Sequence, residues 1–201
     1  MTEILIASNN QGKIKEIKAL LADFDVDVRS LKDAGVDIDV PETGKTFREN
    51  AALKAETLSK KLNRITIADD SGLVVDALNG EPGIYSARYS GPEKNSEKNI
   101  DKLLGKLEGV PAERRTAHFV CVLALSQPGK PTRFVEGRCP GMITTERRGE
   151  NGFGYDPVFL IPERQMTFAE MGDAEKNKMS HRARALRLLR EKWIGWVGDD
   201  Q

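Results

Sequence analysis

The feature that most constrains the fold stands at the start of the chain, where a strand, a polar loop and a helix are expected in succession. The run EILIAS favours a β-strand, and KIKEIKALLADF repeats apolar residues at helical spacing. The loop SNNQGK, residues 8–13, joins the two. This order opens an α/β unit, in which ligands bind at the carboxyl ends of the strands. We therefore expect an α/β protein with a binding site near this loop.

The rest of the chain continues to alternate strands and helices. Thr46 and Glu49 have the spacing of a capping box, so a helix is expected over 46–62. The polar connection SQPGKP favours a hairpin between two strands, which suggests a second lobe on a mixed sheet. Strands are expected at RITIA (64–68), TAHFVCVLAL (116–125), TRFVEGRCPG (132–141) and GFGYDPVFLIP (152–162), and helices at DKLLGKLEGV (101–110) and MSHRARALRLLREKWIGWV (179–197).

The composition excludes several classes of protein. Lys plus Arg and Asp plus Glu both number 31, whereas a protein that binds duplex nucleic acid usually carries a basic excess. Cys121 and Cys139 are too few for a disulfide framework, and Cys121 is expected to be a small buried hydrophobe. The first residues lack a signal-peptide pattern, and no run approaches the about 18 apolar residues of a membrane span. We expect a reduced, cytoplasmic protein that binds neither nucleic acid nor membranes.

Four charged residues lie where ordinary packing does not require them. The run RITIA leads into Asp69 and Asp70, which cannot both face one point unless the strand has ended. Lys54 falls on the apolar face of the helix 46–62, where it must snorkel, pair with an acid or meet a phosphate. Glu42 precedes that helix and, with one of the aspartates, would make an oxygen-rich Mg²⁺ site. An exposed glutamate in a turn, however, is usually solvated and inert.

Three segments carry groups that suit a nucleotide. SNNQGK offers backbone N–H groups, a helix N-terminus and Lys13 to a phosphate, although an ordinary capped turn accounts for the same residues. GFGYDPVF alternates glycine with aromatic residues, which suits either base stacking or a strand entry with core aromatics. His181 and Arg182 open the last helix, where cations oppose the helix dipole, so another contact must select them.

Together these motifs resemble the inosine triphosphate pyrophosphatase family, whose members hydrolyse non-standard purine nucleoside triphosphates. The motifs are SNNQGK, ADDSGLVVDALNGEPGIYSARYSG, GFGYDP and SHR, in this order, and the likeness runs from Ile4 to Leu189. Ser8 in place of a threonine is a mild variation. The resemblance implies a single two-lobed domain over 1–201 and usually a homodimer. The implied fold is an α/β mixed sheet flanked by helices around a central substrate cleft, of the kind called ITPase-like or anticodon-binding-like.

The resemblance also implies Mg²⁺-dependent hydrolysis of ITP, dITP and XTP to the monophosphate and pyrophosphate, which keeps these bases out of DNA and RNA. Asp69, Asp70 and Lys54 match the catalytic cluster, with Asp70 the family's proposed proton acceptor, and Glu42 and Asp70 match the metal ligands. Asn10 and Lys13 match the main polar groups of the triphosphate loop. The residues that match substrate contacts are Ser8, Asn9, Asn10, Gln11, Gly12, Lys13, Ser71, Phe153, Gly154, Tyr155, Asp156, Lys176, His181 and Arg182.

Two other classes of function compete with this interpretation. One is a nucleotide sensor that binds without turnover, but a pure binder needs no acidic pair facing a triphosphate. The other is a nucleic-acid-binding module, which the zero net charge disfavours. Either aspartate could act on the water, and the sequence does not rank ITP, dITP and XTP.

Overall fold

The structure, a computed structural model, describes residues 1–198, and none of the helices in this range is long and apolar enough to cross a membrane. The strands are β1 Thr2–Ile6, β2 Val26–Ser30, β3 Thr66–Val75, β4 Thr116–Ser126, β5 Arg133–Ile143, β6 Phe159–Ile161 and β7 Met166–Thr167. The α-helices are α1 Gln11–Leu20, α2 Phe47–Leu62, α3 Ser96–Lys106, α4 Asp173–Met179 and α5 His181–Val197.

The strands form one mixed sheet, in the order β2-β1-β3-β4-β5-β6-β7. β1 runs parallel to β2 and β3, with Thr2 opposite Val26 and Leu5 opposite Thr66. β6 is antiparallel to both β5 and β7. A mixed sheet combined with helices is the α/β class that the sequence predicts, so the predicted fold class is confirmed.

The chain divides into two compact units, each with its own hydrophobic core. Unit 1 comprises Met1–Asp70, Cys121–Gly137 and the described residues from Arg182 onward, and unit 2 comprises Ser71–Val120 and Arg138–His181. The core of unit 1 includes Ile4, Ile6, Ile17, Ile67, Leu123 and Leu186. The core of unit 2 includes Leu73, Ile100, Leu103, Phe119, Phe159 and Phe168.

The start of α2 is formed as the sequence predicts. Thr46 has extended backbone angles, and its hydroxyl accepts a hydrogen bond from the backbone N–H of Glu49 at 3.0 Å. This contact satisfies one of the N–H groups that a helix leaves unpaired at its first turn. The carboxylate of Glu49 turns to the loop instead, where it accepts from the backbone N–H of Lys45 at 2.6 Å.

β3 differs from its prediction, because it does not end at the two aspartates but continues to Val75. Leu73 and Val75 are fully buried, so the residues beyond the aspartates still supply an apolar face to a core. The alternation of side chains therefore persists through Asp69 and Asp70, which point to opposite faces of the sheet.

Other boundaries differ for local reasons. α3 begins at Ser96 rather than 101, because the side chain of Asn95 caps it by accepting from Lys98 N at 3.0 Å. In 152–162 only β6 is a strand, since Gly152 and Gly154 adopt φ values of 75° and 60°, outside the strand region. The predictions did not include β2, β7 and α4, which are too short to show a strong periodicity.

Candidate active site

Asp69 is a buried carboxylate with three donors around it, all within unit 1. Its Oδ1 lies 2.8 Å from Nζ of Lys13, and its Oδ2 accepts from Nε of Arg182 at 2.9 Å and from the thiol of Cys121 at 3.0 Å. Burial alone would raise the pKa of this carboxyl, but the charges of Arg182 and Lys13 outweigh it and hold the pKa well below its usual range. Asp69 therefore stays ionised, with both oxygens engaged.

Cys121 has a polar role as well as the expected buried one. Burial, followed by the charge of Asp69, raises the pKa of its thiol well above the usual value, so the sulfur keeps the proton that it donates. Neither cysteine forms a disulfide, and both are buried. The prediction of a small buried residue is correct in burial but left out this hydrogen bond.

Arg182 is paired with a second acid, Glu16, which sequence reasoning missed. Its guanidinium is 2% exposed and also contacts Glu16 through Nη1. Burial lowers the pKa of Arg182, but Asp69 and Glu16 outweigh burial and raise it. These two acids explain why a cation stands in the first turn of α5 against the helix dipole. The available signal was the position of Glu16 on α1, three residues after Lys13 and therefore on the same face.

Lys54 connects α2 to the loop before it and to β3. Its Nζ lies 2.9 Å from Oε1 of Glu42 and 3.6 Å from Oδ1 of Asp70, and it donates to the backbone carbonyl of Asp69 at 2.6 Å. Burial lowers its pKa, but the charges of Asp70 and Glu42 outweigh burial, so the pKa is raised. Of the three options open for a lysine on the apolar face, the structure shows pairing with acids.

Asp70 is the acid of this cluster that keeps an available oxygen. Its side chain is 5% exposed, and within residues 1–198 its buried Oδ2 has no hydrogen-bond partner. Burial raises its pKa to about 6, because the nearby charges of Lys54 and Lys13 offset burial only in part. A carboxylate with a pKa near neutrality is suited to accept a proton from water.

The acids around Lys54 have the chemistry of a shared Mg²⁺ site. Asp70 offers the unpartnered Oδ2, and Glu42 lies on the same lysine. Mg²⁺ is usually held by one or two protein carboxylates together with substrate phosphates, so it does not require a complete protein cage. The described part of the chain has no group of three or more His, Cys, Asp or Glu that could hold a metal ion. The donor set therefore fits an ion shared with a phosphate ligand.

The loop 8–13 is both a capped turn and an exposed helix N-terminus. Ser8 Oγ accepts from Asn10 N at 3.1 Å, and Asn10 Oδ1 accepts from Lys13 N at 3.1 Å, which caps α1. Asn9, Asn10 and Gln11 are exposed. Because Lys13 lies in the first turn of α1, its charge adds to the positive end of the helix dipole.

In unit 2, a buried ion pair holds the loop that carries Phe153. Nζ of Lys176 lies 2.7 Å from Oδ2 of Asp156, and each side chain is 4% exposed. The same Oδ2 accepts from Phe153 N at 3.1 Å, and Nζ of Lys176 lies 4.7 Å from the centre of the Phe153 ring. A Cβ at Gly152 would lie 2.1 Å from Asp156 Oδ2, so only glycine fits there. The ion pair thus fixes the backbone at Phe153.

His181 and Tyr155 are also buried in unit 2. The His181 ring stacks on Phe119, with ring centres 4.7 Å apart and planes inclined by 17°. The Tyr155 hydroxyl donates to the carbonyl of Ser86 at 2.7 Å. Ser71 and Gly154 are partly exposed.

The residues predicted from the sequence thus fall into two groups. The structure brings Lys13 and Arg182 together around the carboxylate of Asp69, and it brings Glu42 and Asp70 together around the ammonium group of Lys54. Unit 1 contains Ser8, Asn9, Asn10, Gln11, Gly12, Lys13, Glu42, Lys54, Asp69, Asp70 and Arg182. Unit 2 contains Ser71, Phe153, Gly154, Tyr155, Asp156, Lys176 and His181.

An α/β fold with buried carboxylates, paired lysines and a capped helix N-terminus defines a class of protein suited to phosphorylated ligands. Residues 4–192 match the Ham1 family, and the chain belongs to that family. A protein of Geobacillus kaustophilus named dITP/XTP pyrophosphatase is 57% identical over 198 residues, which cover 98% of this chain and 97% of that protein. A Bacillus subtilis protein of the same name is 51% identical over 189 residues, which cover 94% and 96%.

The solved structures of relatives agree with this membership. The Staphylococcus aureus Ham1 protein is 49% identical, with a TM-score of 0.86, over 96% of this chain and 99% of that one. A HAM1 protein from Coxiella burnetii is 40% identical, with a TM-score of 0.86, over 97% and 100%. The family predicted from the motifs is therefore confirmed.

Asp70→Asn is expected to stabilise the metal-free protein at neutral pH. The folded pKa of about 6 exceeds the ordinary value of 3.8, so the ionised carboxyl destabilises the folded state. The two-unit difference corresponds to about 3 kcal/mol. The wild-type protein loses this stability as pH rises from about 4 to about 6, so the gain should be full above about pH 6 and shrink below it. Urea unfolding in EDTA, near pH 4 and at neutral pH, measures the difference in the free energy of unfolding between the variant and the wild-type protein. A variant that is no more stable than the wild-type protein at neutral pH would contradict the burial argument.

Asp69→Asn is expected to have the opposite effect. A carboxyl with a lowered pKa stabilises the folded state above its unfolded pKa, and its loss leaves Arg182 buried with one acid fewer, at a cost of about 3–5 kcal/mol. Urea unfolding at neutral pH measures the difference. Asp27→Asn is the control, because Asp27 forms an exposed pair with Arg29 at 3.0 Å and should change stability little. Equal effects of the two substitutions would show that the buried cluster is not stabilising.

Proposed function

We propose that this chain hydrolyses the non-standard purine nucleoside triphosphates ITP, dITP and XTP to the monophosphate and pyrophosphate. This activity would keep inosine and xanthosine nucleotides out of DNA and RNA. Support comes from the Ham1 family membership and from relatives named dITP/XTP pyrophosphatase. The observation that carries the proposal is Asp70, a buried carboxylate with an available Oδ2 and a pKa of about 6 beside Lys54.

In the proposed reaction, water attacks the α-phosphorus in line and pyrophosphate leaves. Asp70 is assigned as the acceptor of the proton of the attacking water, because burial raises its pKa to about 6, which makes it a better proton acceptor than an ordinary aspartate. Asp69 does not act as the base, since its pKa is low and its oxygens are engaged. Its part is to hold Lys13, which donates to phosphate oxygens as their negative charge grows.

Lys54 is assigned the second cationic role. Its ammonium group is held at 2.9 Å by Glu42 and at 2.6 Å by the carbonyl of Asp69 before any substrate binds. A donor that is already oriented needs no reorganisation when charge develops on the phosphate.

The proposed cofactor is Mg²⁺, with Glu42 and Asp70 as its protein ligands. When bound with the triphosphate, the ion supplies positive charge that offsets the charge developing on the phosphate oxygens. Asp70 and Glu42 are the acids nearest Lys54, and the unpartnered Oδ2 of Asp70 is the oxygen that supports this assignment.

Base recognition is assigned to Phe153, Lys176, His181 and Arg182. Hypoxanthine and xanthine carry a 6-oxo acceptor where adenine carries an amino donor, so a donor from His181, Arg182 or a backbone N–H would favour them. Leaving a buried donor unpaired against adenine would cost about 1–3 kcal/mol. Phe153 offers an aromatic face for stacking, and Lys176 lies against its ring. Guanine shares the oxo group, so its 2-amino group must be rejected separately.

The proposal treats residues 1–201 as a single two-lobed catalytic domain. It also includes a homodimer and a cytoplasmic location. The domain and the homodimer follow from the family resemblance and the location from the composition, and none of the three is needed for the chemistry assigned to Asp70 and Lys54.

A panel of triphosphates tests the activity directly. With Mg²⁺ we expect pyrophosphate release from ITP, dITP and XTP and little from ATP, and EDTA should abolish it. Asp70→Asn should lower kcat by about 100-fold or more, because a general base contributes a factor of this size, while triphosphate binding is largely retained. Binding of ITP without pyrophosphate release by the wild-type protein would identify a sensor and contradict the proposal.

Arg182→Lys tests base recognition. Lysine keeps the positive charge beside Asp69 but loses the planar fork of donors, so the ITP-over-ATP ratio of kcat/KM should fall by about 10-fold or more. Arg190→Lys, on the same helix and paired with exposed Asp23 at 3.0 Å, is the control and should leave the ratio unchanged. An unchanged ratio in Arg182→Lys would remove Arg182 from base recognition.

A further inference from the structure

Asn50 is a fully buried amide in α2, four residues before Lys54 and therefore one helical turn away. Its Oδ1 accepts a hydrogen bond from the backbone N–H of Gly44 at 2.8 Å. Among residues 1–198, its buried Nδ2 has no hydrogen-bond partner. Burying an amide nitrogen without a partner costs free energy, so we expect the hydrogen bond of Oδ1 to serve a purpose that offsets this cost. That end holds the loop in front of α2.

The contact between Asn50 and Gly44 is too close to admit a side chain at position 44. A Cβ there would lie 2.7 Å from Oδ1 of Asn50 and 2.7 Å from Cβ of Glu49. These separations are well below the about 3.5–4.0 Å of carbon atoms in favourable contact. Glycine is thus required by the approach of the helix to the loop.

A second side chain fixes the next residue of the same loop. The backbone N–H of Lys45 donates to Oε2 of Glu49 at 2.6 Å. Two consecutive N–H groups of the loop are therefore bound by two consecutive side chains of α2. Of these two, only Asn50 is buried, so its bond is the one shielded from water.

The fixed loop carries Glu42, two residues before Gly44. Glu42 is 28% exposed and reaches Nζ of Lys54 at 2.9 Å. With the backbone held at Gly44, the short connection limits where the Glu42 carboxylate can lie. Asn50 and Lys54, on one face of one helix, thus hold the loop by its backbone and by its carboxylate.

We propose that Asn50 is a positioning residue that, through the N–H of Gly44, holds Glu42 where it binds the divalent cation together with Asp70. The inference rests on the proposed function, which names Glu42 and Asp70 as the ligands. Loss of a group that orients a metal ligand weakens metal affinity by about 10- to 100-fold. A residue that only supports the helix would change stability and leave metal affinity as it is.

The test measures cation affinity without turnover. Mn²⁺ is titrated by electron paramagnetic resonance into the full-length protein saturated with an ITP analogue that has an imido group between the α- and β-phosphorus atoms. Asn50→Ala should raise the Kd for Mn²⁺ about 10-fold or more. The affinity for the analogue in EDTA should stay unchanged, because the lysines that meet the phosphates are untouched.

Ser59→Ala is the matched control. Ser59 is buried on the same helix, and its hydroxyl donates to the carbonyl of Arg64 at 2.8 Å, far from the loop that carries Glu42. It should lower the temperature of unfolding and leave the Kd for Mn²⁺ unchanged. Gly44→Ala disturbs the contact between Asn50 and Gly44 from the loop side and should raise the Kd for Mn²⁺ as Asn50→Ala does. It tests the role of Asn50 if Asn50→Ala fails to fold.

The outcomes separate this inference from the proposed function. A wild-type protein that binds Mn²⁺, with Asn50→Ala and Gly44→Ala binding it equally well, overturns the role of Asn50 alone. A wild-type protein without affinity for Mn²⁺ overturns the proposed cofactor and the role of Asn50 with it. A raised Kd in both variants and an unchanged Kd in Ser59→Ala supports the role of Asn50.

Discussion

The buried carboxylate of Asp69 is the interaction on which the rest of unit 1's charged cluster depends. It pairs with Lys13 of α1 and Arg182 of α5, and it accepts a hydrogen bond from the thiol of Cys121 of β4. Arg182 could not be buried without an acid, because an unpaired charge is strongly disfavoured away from water. The arrangement therefore orients its cations before a ligand arrives, which is the condition for electrostatic catalysis.

The adjacent carboxylate, Asp70, has the opposite environment. Because β3 continues through both residues, one acid faces Lys13 and Arg182 and the other faces Lys54. The pKa of Asp69 is lowered and that of Asp70 is raised to about 6, although the two are consecutive in the chain. When the environments of two neighbouring acids shift their pKa values in opposite directions, one acid can serve as a fixed charge and the other as a proton acceptor.

Features that depend on local pattern could be predicted from the sequence. The cap at Thr46, the helix after it and the place of Lys54 on the apolar face of that helix follow from spacing alone, and the motifs identified the family. The continuation of β3 could not be predicted, because two acids interrupt its apolar pattern and only the core beyond them shows why the strand goes on.

The different environments of the two aspartates could be found only from the structure. Glu16 meets Arg182 across 166 positions of sequence, and Cys121 meets Asp69 across 52, so no local pattern reveals either contact. In the sequence, Asn50 cannot be distinguished from an ordinary polar residue of a helix, and only the structure shows its hydrogen bond to Gly44. Burial and partners decide a pKa, and both arise from contacts that are remote in the chain.

The central claim, that the two adjacent aspartates are a fixed anion and a proton acceptor, is tested most directly by carboxyl ¹³C NMR. The metal-free protein is titrated from neutral pH toward acid, and the two signals are assigned by Asp69→Asn and Asp70→Asn. The account predicts that Asp70 titrates near pH 6, while Asp69 stays ionised throughout the range in which the protein remains folded. Titration of both carboxyls together near pH 4, as in an unperturbed aspartate, would contradict it.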